Sequence, residues 1–343
     1  MNKERRSLFF CNIAQKYSPL TKAAKKFLSI LFKAIILVLA LTFIYHQYLE
    51  KGDNLKQFEI SIAHLDHTHV TAIMSAVVAL MFANWITETL KWQYLIRKLA
   101  PISLWQAIEG VFSGLTWAIF TPNRLGEYGG RIMFLPPRKR IHGIFAMAVG
   151  SFGQNVITNV LGAGALVWFA FTFLHLSSWV LLAITVIATI HMGLFLVFYF
   201  NIKWLVWLLN RISFLKKYHR FFDIMGTYKF NELVKIMCFC LTRFFIFSFQ
   251  YYLVIHLLVP AIPFHDVILM VFIVFFIQSA LPSLDLLDVP VRATAAATLF
   301  AYVTHQQVAI IAAFASIWLI NLIIPAILGS VFTFNLKFFD RNL

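Results

Sequence analysis

Arg124-Leu-Gly-Glu127 followed by Arg131 brings two guanidinium groups and a carboxylate together in an otherwise apolar part of the chain. Guanidinium forks match the geometry of phosphate and carboxylate. Glu127 stands three residues after Arg124 and four before Arg131, so on one helical face it can pair with both. Pro122 stops a helix by lacking a backbone donor, and Gly126 is expected to break it too. Gly126, Gly129 and Gly130 permit turns and close backbone approach. Together with Asn123, this stretch is expected to bind a charged headgroup. The competing reading is a charged cap at the headgroup layer, but ionisable groups near lipid are costly and usually functional.

A second stretch has the same character. Ser279-Ala-Leu-Pro-Ser-Leu-Asp-Leu-Leu-Asp-Val-Pro-Val-Arg-Ala293 holds Pro282 and Pro290 as helix breakers, with Ser283, Asp285, Asp288 and Arg292 as candidate headgroup contacts. A polar loop keeping these charges in water is the alternative. Broken apolar segments in corresponding halves of a chain point to a substrate site in transporter-like folds. Here the two segments are 103–131 and 265–304, although no identity between the halves is visible by eye.

The elements that must position these residues are apolar helices. Of the 343 residues, 61% are hydrophobic and 13% charged, and mean hydropathy is +0.80. Soluble domains carry about 25% charged residues, so lipid must be part of this chain's solvent. Apolar runs of span length occur at 28–46, 70–87, 143–172, 178–200, 231–258, 265–281 and 306–332, with less regular stretches at 103–120 and 291–304. The expected fold is all-α, a polytopic bundle of about seven to eight spans with re-entrant or broken helices.

Lys and Arg number 29 against 14 Asp and Glu, a formal charge of +15. In a membrane chain such an excess belongs to cytoplasmic loops and anionic lipid. No basic, aromatic-interleaved module suggests nucleic acid. The basic stretch 1–27 and the tail 336–343 are expected in the cytoplasm, with 28–335 as one transmembrane domain in the cell membrane. Lys91, Arg97 and Lys98 are read as an inner loop. Both flanks of Leu104–Phe120 are then basic, which predicts a re-entrant hairpin over 103–131. The segment 201–229 mixes Lys203, Arg211, Lys216 and Lys217 with Trp204 and Trp207, and reads as an amphipathic segment in the cytoplasmic headgroup layer.

With those residues in place a resemblance becomes specific. Thr121-Pro-Asn-Arg-Leu-Gly-Glu127 with Arg131 resembles the first signature of the lysylphosphatidylglycerol synthase transmembrane-region family, whose members are flippase-like membrane proteins. Leu281-Pro-Ser283 and Val289-Pro-Val-Arg292 resemble its second signature. The similarity runs from about residue 28 to 335. Pro290 and Ala293 stand where the family commonly has glycine and glutamate, and Gly153-Gln-Asn-Val-Ile-Thr158 where many members have an arginine and an acid. The resemblance implies a bundle that binds or flips a lipid with a charged headgroup: a phospholipid, an aminoacyl-lipid or a polyprenyl phosphate. It also implies a possible homodimer. Well-known members carry a soluble aminoacyl-transferase domain, which the sequence to Leu343 lacks. Lipid aminoacylation would then need a separate soluble transferase.

Other polar residues have two readings each. Gln154, Asn155, Thr158 and Asn159 share a helix face and can line a polar cavity or bond neighbouring helices. Arg243 needs a partner inside the membrane; Asp285, Asp288 and Glu127 are candidates, an anionic ligand is another, and Gln250, near Tyr251, is expected to line the same polar cavity. His64-Leu-Asp-His-Thr-His69 holds metal-capable types without a motif spacing and reads as a solvated loop. Cys11, Cys238 and Cys240 form no disulfide framework. No cofactor or metal site is expected. No catalytic triad, P-loop or dinucleotide fingerprint occurs; the alternative function is a membrane-embedded glycosyl- or aminoacyl-lipid transferase, for which Glu127 is the candidate acid or base, or an accessory subunit of such an enzyme.

Overall fold

A computed structural model of the chain describes residues 66–334 apart from 120, 122–123, 213–218 and 281–287. The predicted span 28–46, both termini, and Asn123, Pro122, Pro282, Ser283 and Asp285 therefore lie outside the described residues. What is described is all-α. Four helical stretches are long and apolar enough to cross a membrane: His67–Ile96, Pro137–Phe173, Ser178–Phe200 and Gln307–Phe332. They are the candidate spans of a multi-pass membrane protein.

Helix α1 (His67–Ile96) opens on Asp66, whose carboxylate accepts from the Thr68 backbone N–H at 3.1 Å. His67 and His69 of the histidine-rich stretch thus lie in the first turn of a helix, and no cluster of metal-capable side chains occurs among the described residues. The sequence breaks at Pro101. Ser103 then caps α2 (Leu104–Ala118) in a reciprocal box, with Gln106 N–H donating to Ser103 Oγ at 3.1 Å and Ser103 N–H to Gln106 Oε1 at 3.0 Å. Helix α3 (Leu125–Ile132) follows and packs back on α2 as a helical hairpin.

Helix α4 (Arg140–Phe173) carries the polar stripe Ser151, Gln154, Asn155 and Thr158. Helix α5 (Ser178–Phe200) is apolar on all sides and remains exposed, with Trp179 at 81% and Ile187 at 67% exposure. A helix that is apolar all round needs an apolar surround, which agrees with its place among the candidate spans. The amphipathic segment is made of α6 (Ile202–Arg211) and the single turn α7 (His219–Phe222). Trp204 and Trp207 of α6 project outward, while Phe222 and Met225 are buried against the bundle.

Helix α8 (Phe230–Leu258) lies antiparallel to α1. The Tyr228 hydroxyl donates to the Leu95 carbonyl at 2.6 Å near one end, and Gln250 Nε2 donates to the Val77 carbonyl at 2.8 Å near the other. Burial pushes the Tyr228 phenol up from its ordinary range, so it donates as a neutral hydroxyl. Helices α9 (Phe264–Ala280) and α10 (Asp288–Phe300) pack on one another as the second hairpin. The chain then continues through α11 (Gln307–Trp318), a π turn (Leu319–Ile323) and α12 (Ile324–Phe334). Pro325 has no N–H to offer the Asn321 carbonyl, which accounts for the π turn at this point.

The two halves correspond. A long helix, a hairpin and a second long helix (α1, α2–α3, α4) match α8, α9–α10 and the α11–α12 pair, and the opening helices run in opposite directions. The correspondence extends to packing. Each hairpin's first helix lies along the closing helix of the other half, α2 on α12 and α9 on α4. A glycine makes each contact. A Cβ on Gly329 would stand 2.0 Å from the Phe112 carbonyl oxygen, and one on Gly162 would stand 2.4 Å from Phe276 Cβ. Thr116 adds a hydrogen bond to the Ala326 carbonyl at 2.8 Å. Inverted repeats of this kind place a site where the broken segments meet.

Candidate functional site

The first hairpin turns through Arg124, the one non-glycine residue with a positive φ (56°) among the described residues. That conformation costs a residue with a Cβ about 1–2 kcal/mol. Gly126 N–H donates to Thr121 Oγ1 at 2.6 Å, and a Cβ on Gly126 would stand 2.2 Å from the Trp117 carbonyl oxygen. Gly130 lies against Gly114 so closely that a Cβ would meet the Gly114 Cα at 2.6 Å. Gly126 is therefore a helical residue that lets α3 lie on α2, not a breaker. Gly129 has no neighbour within 4 Å and is not needed for the turn.

This packing turns Arg131 inward, to 1% exposure. It donates to Glu127 on its own helix and, at 2.6 Å, to Glu88 Oε1 on α1. Glu127 also pairs with Arg124 at 3.1 Å, as the three- and four-residue spacing predicts. Glu88 in turn pairs with Lys91 at 2.7 Å and with Arg243 of α8, whose Nε donates to Asn84 Oδ1 at 2.9 Å. One network thus runs from Arg124 through Glu127, Arg131 and Glu88 to Lys91 and Arg243. Each acid is shared by two or three cations, the arrangement that makes buried charge tolerable.

Two expectations change here. Arg243 finds its partner in Glu88 and Asn84, where Asp285, Asp288 and Glu127 were the candidates. Lys91 sits in the bundle at 3% exposure, where a loop was expected. Charge counting put the chain outside lipid too early, because α1 continues to Ile96.

Beside the network lies a cavity of about 420 Å³. Its described lining includes the cations Lys91, Arg124, Arg243 and Arg292 against the acids Glu88 and Glu127, four to two. Arg131 behind the wall raises the excess from two to three. Gln154, Asn155 and Thr158 line the same cavity, so α4's polar face serves it, while Asn159 bonds His191 of α5 at 3.1 Å and acts between helices. Gln250 is fully buried against α1 and takes no part in the lining. From the second half come Gln278 and Ser279 at the end of α9, Arg292 on α10, and Trp318 and Asn321 at the π turn. Asp288 opens α10, and Pro290 falls in its first turn, where a missing N–H costs nothing, so Pro290 starts a helix and does not break one.

Reasoning from the sequence missed Glu88, Asn84, Trp85, Gln278, Trp318 and Asn321. The first of these had a signal: Asn84, Glu88 and Lys91 recur at four and three residues inside an apolar run, so they share a face. Asn321 had a weaker one in its place four residues before Pro325.

No protein-family model matches the chain, no curated protein matches it, and no solved structure matches it.

Proposed function

We propose that this protein binds a lipid with an anionic headgroup in the central cavity and carries it between leaflets. It would be a multi-pass protein of the cell membrane, flippase-like in the manner of the lysylphosphatidylglycerol synthase transmembrane-region family, with about seven to eight spans and both termini in the cytoplasm. The observation that carries this reading is the cationic excess of the cavity, four cations to two acids among the described lining residues. Such a site attracts phosphate and repels ammonium. The paired hairpins add support, because a site between inverted repeats is reachable from either side by rocking one repeat on the other. The indoles of Trp204 and Trp207 on α6 suit the headgroup layer, where they would set the bundle's depth.

An enzymatic reading needs a carboxylate free to reach a reacting atom. Glu88 and Glu127 are instead engaged by three and two cations. Translocation is therefore preferred to transfer chemistry.

The test is a leaflet-exchange assay in proteoliposomes holding a fluorescent anionic phospholipid, with a membrane-impermeant quencher added outside. Wild-type vesicles lose the inner-leaflet signal, and Arg243→Gln slows that loss. A wild-type rate equal to that of protein-free vesicles removes the reading.

A further inference from the structure

The cavity divides into two chemical zones. Lys91, Arg124, Arg243, Glu88 and Glu127 form a charged wall on the first hairpin, α1 and α8. The described lining from the other helices is mostly neutral: Gln154 and Asn155 on α4, Gln278 on α9, and Trp318 and Asn321 at the start of the π turn and within it, with Arg292 from α10. On this neutral wall several polar atoms are shut from water without a hydrogen-bond partner. They are the donors Gln278 Nε2 and Trp318 Nε1 and the acceptors Gln154 Oε1 and Asn321 Oδ1. Asn321 is only 5% exposed, and its amide nitrogen is already used by the Ile317 carbonyl at 3.1 Å. Buried polar groups normally have partners, so a cluster of unmet donors and acceptors beside one cavity marks where a ligand's polar atoms belong.

The chemistry of that ligand follows from what the wall offers. An ammonium has donors only: it could serve Gln154 Oε1 and Asn321 Oδ1 but would leave Gln278 and Trp318 unmet. It would also share the cavity with more cations than acids among the described lining residues. Hydroxyls donate and accept, and so match both kinds of atom once these side chains turn to a ligand. Trp318, Trp85, Phe244 and Phe275 add flat apolar faces for the C–H side of a ring. We propose that the headgroup is a phosphate ester of a neutral polyol, an inositol or a sugar, with the phosphate on the charged wall and the hydroxyls on the neutral wall. This rests on the reading of the cavity as a lipid-headgroup site.

The experiment compares three short-chain lipids on the detergent-purified full chain, with affinities taken from thermal-shift titrations. They are phosphatidylinositol, phosphatidic acid and phosphatidylethanolamine. The hydrogen bonds gained by the polyol are expected to make phosphatidylinositol bind at least about tenfold tighter than phosphatidic acid, with phosphatidylethanolamine weakest. Gln278→Leu and Gln154→Leu should each reduce that preference while leaving the affinity for phosphatidic acid within about twofold, which also reports a folded cavity. Phosphatidylethanolamine binding as well as phosphatidylinositol, or phosphatidic acid equalling phosphatidylinositol on the wild type, overturns the polyol assignment alone. Loss of all three lipids' binding on the wild type overturns the headgroup site itself.

Discussion

Glu88 on α1 and Arg243 on α8 form an ion pair across the antiparallel helices that open the two repeats. Both side chains are largely buried, at 5% and 17% exposure. The pair joins the halves at the cavity wall, and Glu88 also holds Arg131 from the first hairpin at 2.6 Å. A single carboxylate therefore organises cations from three helices.

Removing that carboxylate strands buried cations. Glu88→Gln keeps the shape but leaves Lys91, Arg131 and Arg243 without their shared acid, and breaking a buried pair costs about 3–5 kcal/mol. Glu127 is more open, at 14% side-chain exposure. Thermal unfolding in detergent should show a much larger fall for Glu88→Gln than for Glu127→Gln. The opposite order would remove Glu88 from the centre of the network.

The hairpin's close approach gives a steric prediction with an internal control. Gly126→Ala drives a methyl group onto the Trp117 carbonyl and should destabilise by about 1–3 kcal/mol. Gly129→Ala, three residues on, meets nothing within 4 Å and gains helix propensity. Comparing the two thermal midpoints checks it: the first falls, and the second holds or rises.

The same logic probes the exchanged packing of the repeats. Gly329→Ala and Gly162→Ala should both lower stability, because each glycine abuts the first helix of the other half's hairpin. Gly164→Ala should be silent, since nothing lies within 4 Å of it. Expression of monodisperse protein after mild heating is a sufficient readout.

The ends of α1 and α8 are tied more loosely. Glu232 accepts from Arg97 at 2.6 Å, from Lys98 at 2.5 Å and from the Lys229 backbone N–H at 2.9 Å. Arg97 is 47% exposed, so water screens the pair. Glu232→Gln should cost about 1 kcal/mol or less, and the loss should shrink at high salt. Midpoints measured at low and high ionic strength test this.

Much of this arrangement is legible in the residues themselves. The spacing of Arg124, Glu127 and Arg131 predicts their pairing, because i,i+3 and i,i+4 geometry is local. Basic flanks around Leu104–Phe120 lead to the expectation of a re-entrant hairpin, and the packing of α3 on α2 is the part of it that the structure describes. The partner of Arg243 was not legible: Glu88 lies on another helix, and only packing brings the two together. Lys91 was misplaced for a related reason. A charge near the end of an apolar run looks like a loop until a buried acid three residues earlier accounts for it. The inverted correspondence of the halves is likewise a matter of contacts, with no shared residues to reveal it.

The most direct measurement is photolabelling in vesicles with an anionic phospholipid that carries a photoreactive group on its headgroup, followed by peptide mapping. Headgroup adducts are predicted on the cavity-lining peptides of α4 and α9, around Gln154 and Gln278, and a non-photoreactive anionic lipid should compete them away. Adducts confined to the outer surface of α5, around Trp179 and Ile187, would contradict a central headgroup site.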